Sequence, residues 1–140
     1  TLEGGKIQMN TLWSRRQSIR FNGVSYVTQC AAAATYSELG KQQLRHTIEY
    51  YMDNVRMMRR ILSSLNLRIY GGEHIPYLWI KIPKKMSSWE FFDSMLYVAK
   101  VVCTPGVVFG PGGEGYVRLS AFAKRQDCEN AARRLKDWLE

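Results

Sequence analysis

The chain has 140 residues, 46% of them hydrophobic, and a formal net charge of +8 from 20 Lys and Arg against 12 Asp and Glu. That is enough for one domain with a core and too apolar for a disordered tail, and no apolar run approaches the ~20 residues that span a bilayer. The three cysteines, Cys30, Cys103 and Cys128, are widely spaced without a CxxC pair, and neither His46 nor His74 has ligand spacing around it, so a disulfide scaffold and a metal site are both disfavoured.

Thr1–Asn10 has no apolar stretch of the kind a secretory signal needs. Leu12–Phe21 mixes apolar and basic residues, and Phe21-Asn22-Gly23 is a turn signal in which Gly23 can take positive φ. Val24–Glu38 reads as a helix of small residues, capped by Asn22 or Ser25 and stopped by Gly40. Its run Ala31 to Ala34 lets another backbone come close. Lys41–Leu65 is the clearest element, with Leu44, Ile48, Tyr51, Met52, Val55, Met58, Leu62 and Leu65 recurring at threes and fours. At a rise of about 1.5 Å per residue such a helix runs roughly 37 Å, long for a small domain and suited to joining two parts of a larger protein.

Leu67–Tyr70 is a short strand candidate followed by a Gly71-Gly72 turn, and Tyr77–Ile82 is a strand ended by Pro83. Ser87 or Ser88 caps a helix whose apolar face includes Trp89, Phe92, Leu96 and Ala99. Val101–Cys103 is expected as a strand. After a Gly/Pro-rich loop, Tyr116–Phe122 alternates strictly, and a final helix runs from about Gln126 to Leu139 with Cys128, Ala131, Ala132 and Leu135 inward. The fold class expected is α/β, a small mixed sheet covered by helices. Cys30 and Cys103 are expected to be small buried hydrophobes in a reducing compartment.

Arg118 is the candidate functional residue. The alternation of its strand places Val117, Leu119 and Ala121 on one face and Tyr116, Arg118, Ser120 and Phe122 on the other. An arginine between aromatics reads either as a planar cation that takes carboxylate or phosphate through two parallel hydrogen bonds, or as a member of a structural ion pair. The loop Gly110–Gly115 invites a phosphate-loop reading, but no Lys-Ser/Thr follows and a strand comes next, so no helix N-terminus faces a phosphate. Its glycines suit a close backbone approach over a ligand or a tight bend, and Glu114 is expected to be solvated. No nucleophile constellation is visible, and no catalytic residue is assigned. The basic residues occur mostly as pairs such as Arg15-Arg16 and Arg59-Arg60, which reads as solvated surface; a basic nucleic-acid-binding module is the alternative.

Two separated blocks carry a family resemblance. Leu12-Trp13-Ser14-Arg15-Arg16-Gln17-Ser18 with Phe21-Asn22-Gly23-Val24-Ser25-Tyr26, and Thr104-Pro105-Gly106 with Phe109-Gly110-Pro111, Gly113-Glu114-Gly115-Tyr116 and Arg118-Leu119-Ser120-Ala121-Phe122, resemble LL-diaminopimelate aminotransferases. The last block alone marks only the broader fold type I pyridoxal-phosphate aminotransferases. The resemblance implies the C-terminal portion of a longer homodimeric cytoplasmic (or, in a plant or alga, plastid) enzyme of lysine and peptidoglycan-precursor biosynthesis. It would move an amino group between LL-2,6-diaminopimelate and 2-oxoglutarate, with pyridoxal 5'-phosphate as the electron sink. Residues 1–38 would end the large cofactor domain, 39–66 form the long linking helix, and 67–140 the C-terminal small domain. Arg118 matches the family's arginine for the substrate α-carboxylate. Asn22 matches an asparagine that contacts both cofactor and substrate. No lysine here fits the family's Ser-x-x-Lys Schiff-base motif, so the chain by itself is expected to be inactive. A pyridoxal-phosphate aminotransferase with another amino-acid specificity shares most of these motifs.

Overall fold

The computed structural model describes residues 8–21, 23–83 and 85–140. The chain divides into two units, one ending at Leu44 and the other spanning Arg45–Glu140.

In the first unit, Met9–Arg20 forms α1, a helix within a segment that reads only as a mixture of apolar and basic residues. Gly23 takes φ +86, as the turn signal requires. The Ser25 hydroxyl accepts from the Thr28 N–H at 3.3 Å and caps α2, Tyr26–Ala34. This helix stops four residues before the expected Glu38, and α3 (Glu38–Leu62) begins there. Gly40 therefore lies inside α3 instead of ending α2. A Cβ on it would sit 2.3 Å from the Ala34 carbonyl oxygen, so glycine lets the two helix ends meet. Neither α1 nor α2 buries a residue. Cys30 is exposed, against expectation, because the α2 face that carries it has nothing packed on it among the described residues.

The second unit holds the core. The apolar stripe of α3 is buried from Met52 onward, through Val55, Met58 and Leu62. It meets Phe91 and Met95 from α4 (Ser88–Ser94) and the turn after it, and Cys128, Ala132 and Leu135 from α5 (Arg125–Leu139). Ser87 caps α4 in a reciprocal box: its hydroxyl accepts from the Glu90 N–H, and its own N–H donates to Glu90 Oε2 at 2.8 Å. A π-helical turn, Met95–Ala99, follows and ends at Lys100 in a left-handed conformation. Phe91, Met95 and Ala99, spaced at fours, are buried, while Trp89, expected inward, is 52% exposed.

The sheet has the order β1-β2-β4-β3, with β1 Ile69–Gly71, β2 Tyr77–Lys81, β3 Thr104–Pro105 and β4 Tyr116–Ser120. Every pairing is antiparallel, which corrects the expected mixed sheet. The crossover through α4 does return β3 parallel to β2, but β4 lies between them, so the parallel strands never pair. Val101–Cys103 is not a strand. It keeps a strand's alternation, with Val101 and Cys103 buried and Val102 71% exposed, but the Val101 N–H donates back to the Met95 carbonyl, and ladder pairing starts only at Thr104. Leu78, Ile80, Val117 and Leu119 fill the helix-covered face, each fully buried branched side chain contributing about 1.5–3 kcal/mol. The period of two then puts Tyr77, Trp79, Tyr116 and Arg118 on the opposite face, where all four are half-buried.

Candidate functional site

Arg118 stands at the middle of β4, directly opposite Trp79 on one neighbouring strand and Thr104 on the other. Its guanidinium carbon lies 4.5 Å from the centre of the Tyr77 ring and 4.4 Å from that of Phe109. The cation is thus held between two aromatic faces, each attracting it through its quadrupole. Both rings are backed in turn: Tyr77 meets Phe122 at 5.4 Å between centroids, Phe122 meets Tyr51 at 4.8 Å, and Phe109 meets Trp79 at 5.3 Å.

Other arginines of this unit find carboxylates, Arg56 with Asp53 at 2.7 Å and Arg133 with Glu129 at 2.7 Å. Among the described residues Arg118 has no acidic partner, so the structural ion pair is not what holds it. Its Nε is buried and unpartnered. A half-buried charge without a counter-ion is unfavourable until an anion supplies one, and a planar carboxylate matches the guanidinium fork.

Phe109 reaches Arg118 because of the glycine loop. Gly106–Phe109 and Pro111–Gly113 each form a 3-10 turn. The turns abut so closely that a Cβ on Gly106 would lie 2.1 Å from the Gly113 carbonyl oxygen. These two glycines serve the loop's contact with itself and not an approach to a ligand. Glu114 is not simply solvated: its Oε1 accepts from the Ser88 N–H at 2.7 Å, and the Ser88 hydroxyl accepts from the Gly115 N–H at 3.0 Å. The loop is thereby fastened to the first turn of α4. Tyr70, Trp79, Phe109, Tyr116 and the Gly110–Gly113 backbone bound an open cleft of ≈ 710 Å³ on the same sheet face.

One supporting residue escaped the sequence reading. Asn54 on α3 is fully buried, and its Nδ2 donates to the carbonyl oxygens of Ala123 at 2.9 Å and Ala121 at 3.4 Å. Nearby, the Tyr50 hydroxyl accepts from the Arg125 N–H at 2.8 Å. Together they fix the chain where it leaves β4. The available signal was a polar residue inside the helical stripe that runs through Tyr51, Val55 and Met58. Asn22, the second predicted site residue, lies outside the described residues.

The profile of the aminotransferase class I and II family matches residues 12–135. The chain belongs to this family. Among relatives of this aminotransferase chain, the LL-diaminopimelate aminotransferases of Bacteroides fragilis and Phocaeicola vulgatus are 58% and 55% identical over 139 residues, 99% of the chain. The chain spans about a third of their length, 34% in each case. The solved L,L-diaminopimelate aminotransferase of Chlamydomonas reinhardtii superposes with a TM-score of 0.86 at 33% identity, over 91% of this chain and 31% of that one. An aromatic aminotransferase from Pyrococcus horikoshii gives 0.70 at 27% identity, over 78% and 30%. The small helix-covered sheet is thus that of fold type I aminotransferases, as the sequence resemblance implied. No helix among the described residues is long and apolar enough to cross a membrane.

Proposed function

We propose that this chain is the C-terminal portion of a pyridoxal-phosphate aminotransferase moving an amino group between LL-2,6-diaminopimelate and 2-oxoglutarate. Within that enzyme Arg118 grips the substrate α-carboxylate. The observation that carries the reading is a ring-flanked arginine on the sheet's open face, without an acidic partner among the described residues. Its part is recognition and orientation: two N–H groups hold two carboxylate oxygens, which fixes the bond to be broken relative to the reacting centre. Asn22 is assigned contact with cofactor and substrate. Residues 1–38, 39–66 and 67–140 are assigned to the end of the large domain, the linking helix and the small domain of a homodimeric enzyme.

The described residues do not themselves build a site for the cofactor. The glycine loop leads into β4 and not into a helix, and its two most crowded glycines face each other. This reading therefore gives the Schiff base and the phosphate to the portion of the enzyme that the chain does not span, and the chain alone is expected to be inactive. Replacing Arg118 by lysine in the full-length enzyme tests it. The Michaelis constants for LL-diaminopimelate and glutamate are expected to rise about 10- to 100-fold, since lysine keeps the charge and loses the fork; unchanged kinetics would remove Arg118 from the role. Profiling of other amino donors separates the diaminopimelate enzyme from an aminotransferase of different specificity.

A further inference from the structure

We propose that Tyr77 and Phe109 are positioning residues that hold the Arg118 guanidinium so that only Nη1 and Nη2 are offered, and that the anion is taken end-on. This rests on the carboxylate reading of Arg118. The guanidinium carbon is 4.5 Å from one ring centre and 4.4 Å from the other, so rotation of the group out of the slot is blocked on both sides. A carboxylate can meet guanidinium side-on, through Nε and one Nη, or end-on through both Nη atoms. Nε is buried and has no partner among the described residues, which closes the side-on mode. Each ring has an aromatic neighbour of its own, Phe122 against Tyr77 and Trp79 against Phe109. Phe109 is also the last residue of a 3-10 turn in the loop that Glu114 ties to α4. The slot between the rings is therefore a preformed seat for a flat cation, independent of the aliphatic stem that delivers it.

Chemical rescue in the full-length enzyme tests this, with glutarate as a carboxylate probe and its affinity read by calorimetry. Arg118→Ala is expected to weaken glutarate about 10- to 100-fold. Guanidinium chloride at tens of millimolar is expected to restore about tenfold of that loss by occupying the seat, while methylammonium, which is not planar, restores none. Rescue is expected to vanish in Arg118→Ala/Phe109→Leu and to persist in Arg118→Ala/Phe109→Tyr, which keeps a ring. If Arg118→Ala alone leaves glutarate affinity unchanged, the carboxylate reading falls and this inference with it. Should affinity fall without guanidinium rescue, or with equal rescue in the Leu double variant, the carboxylate reading stands and the positioning role is overturned.

Discussion

The backbone N–H of Ser88, at the start of α4, donates to Glu114 Oε1 at 2.7 Å, and the Ser88 hydroxyl takes the Gly115 N–H in return. A carboxylate at a helix start satisfies an otherwise orphaned amide. Here it also joins the loop that ends in β4 to the helix that covers the sheet.

Glu114→Ala should therefore release the loop without emptying the core. The expected loss is about 1.5–3 kcal/mol of unfolding free energy, the usual range for a hydrogen bond to a charged group. Glu114→Gln keeps an acceptor and should lose less. Urea unfolding of the two variants beside the parent measures both, and equal stabilities for all three would show that the Ser88 contact contributes nothing.

What the sequence disclosed of this site follows from how local each feature is. The inward and outward faces of β4 were legible because alternation needs only neighbouring residues, and Val117 and Leu119 are buried as read. The capping of α4 by Ser87 was legible for the same reason. The ring sandwich was not: Tyr77 comes from β2 and Phe109 from a loop, and only the ladder register and the folding of that loop bring them to Arg118. The sheet's strand order was hidden too, since no local pattern says that β4 inserts between β2 and β3.

The loop glycines divide by what surrounds them. A Cβ on Gly113 would lie 2.0 Å from the Gly106 carbonyl oxygen, whereas one on Gly112 meets nothing within 4 Å. Backbone cannot swing aside as a flexible side chain does, so Gly113→Ala should destabilise by about 2–4 kcal/mol, in the range of overpacking and above. Gly112→Ala should stay within about 0.5 kcal/mol of the parent. Thermal melts of the pair test the back-to-back turns, and similar midpoints for the two variants would count against them.

Asn54 should be the most sensitive polar position on α3. Its Nδ2 serves two carbonyls in a site with no exposure, so Asn54→Ala strands the Ala123 acceptor, while the Ala121 carbonyl keeps the Ala123 N–H, and leaves a void. About 2–4 kcal/mol is expected, combining an unsatisfied group with lost packing. Asp53→Ala, one residue away on the exposed side, removes a surface ion pair with Arg56 and should change stability by under about 1 kcal/mol. Parallel denaturant titrations decide between a structural Asn54 and a dispensable one.

The thiols give a pH-dependent prediction. Burial pushes the Cys103 thiol up to about 12 from an ordinary 9.0, and burial likewise raises Cys128. Below about pH 9 both thiols are protonated in folded and unfolded chains alike and contribute no slope. As pH climbs past 9, the unfolded chain gives up protons that the folded one keeps. Unfolding is then favoured, and stability is expected to fall steadily until Cys103 itself ionises near 12. Cys30 is exposed in this chain and is placed to react with iodoacetamide at pH 8, whereas Cys103 and Cys128 should label only as fast as the unit opens. Mass spectrometry after timed alkylation reads all three. Prompt labelling of Cys103 in the native chain would mean that the segment between α4 and β3 is not packed as described. Replacing both buried cysteines by alanine or serine should flatten the decline in stability between pH 9 and 12, which separates thiol ionisation from the titration of tyrosine and lysine in the same window.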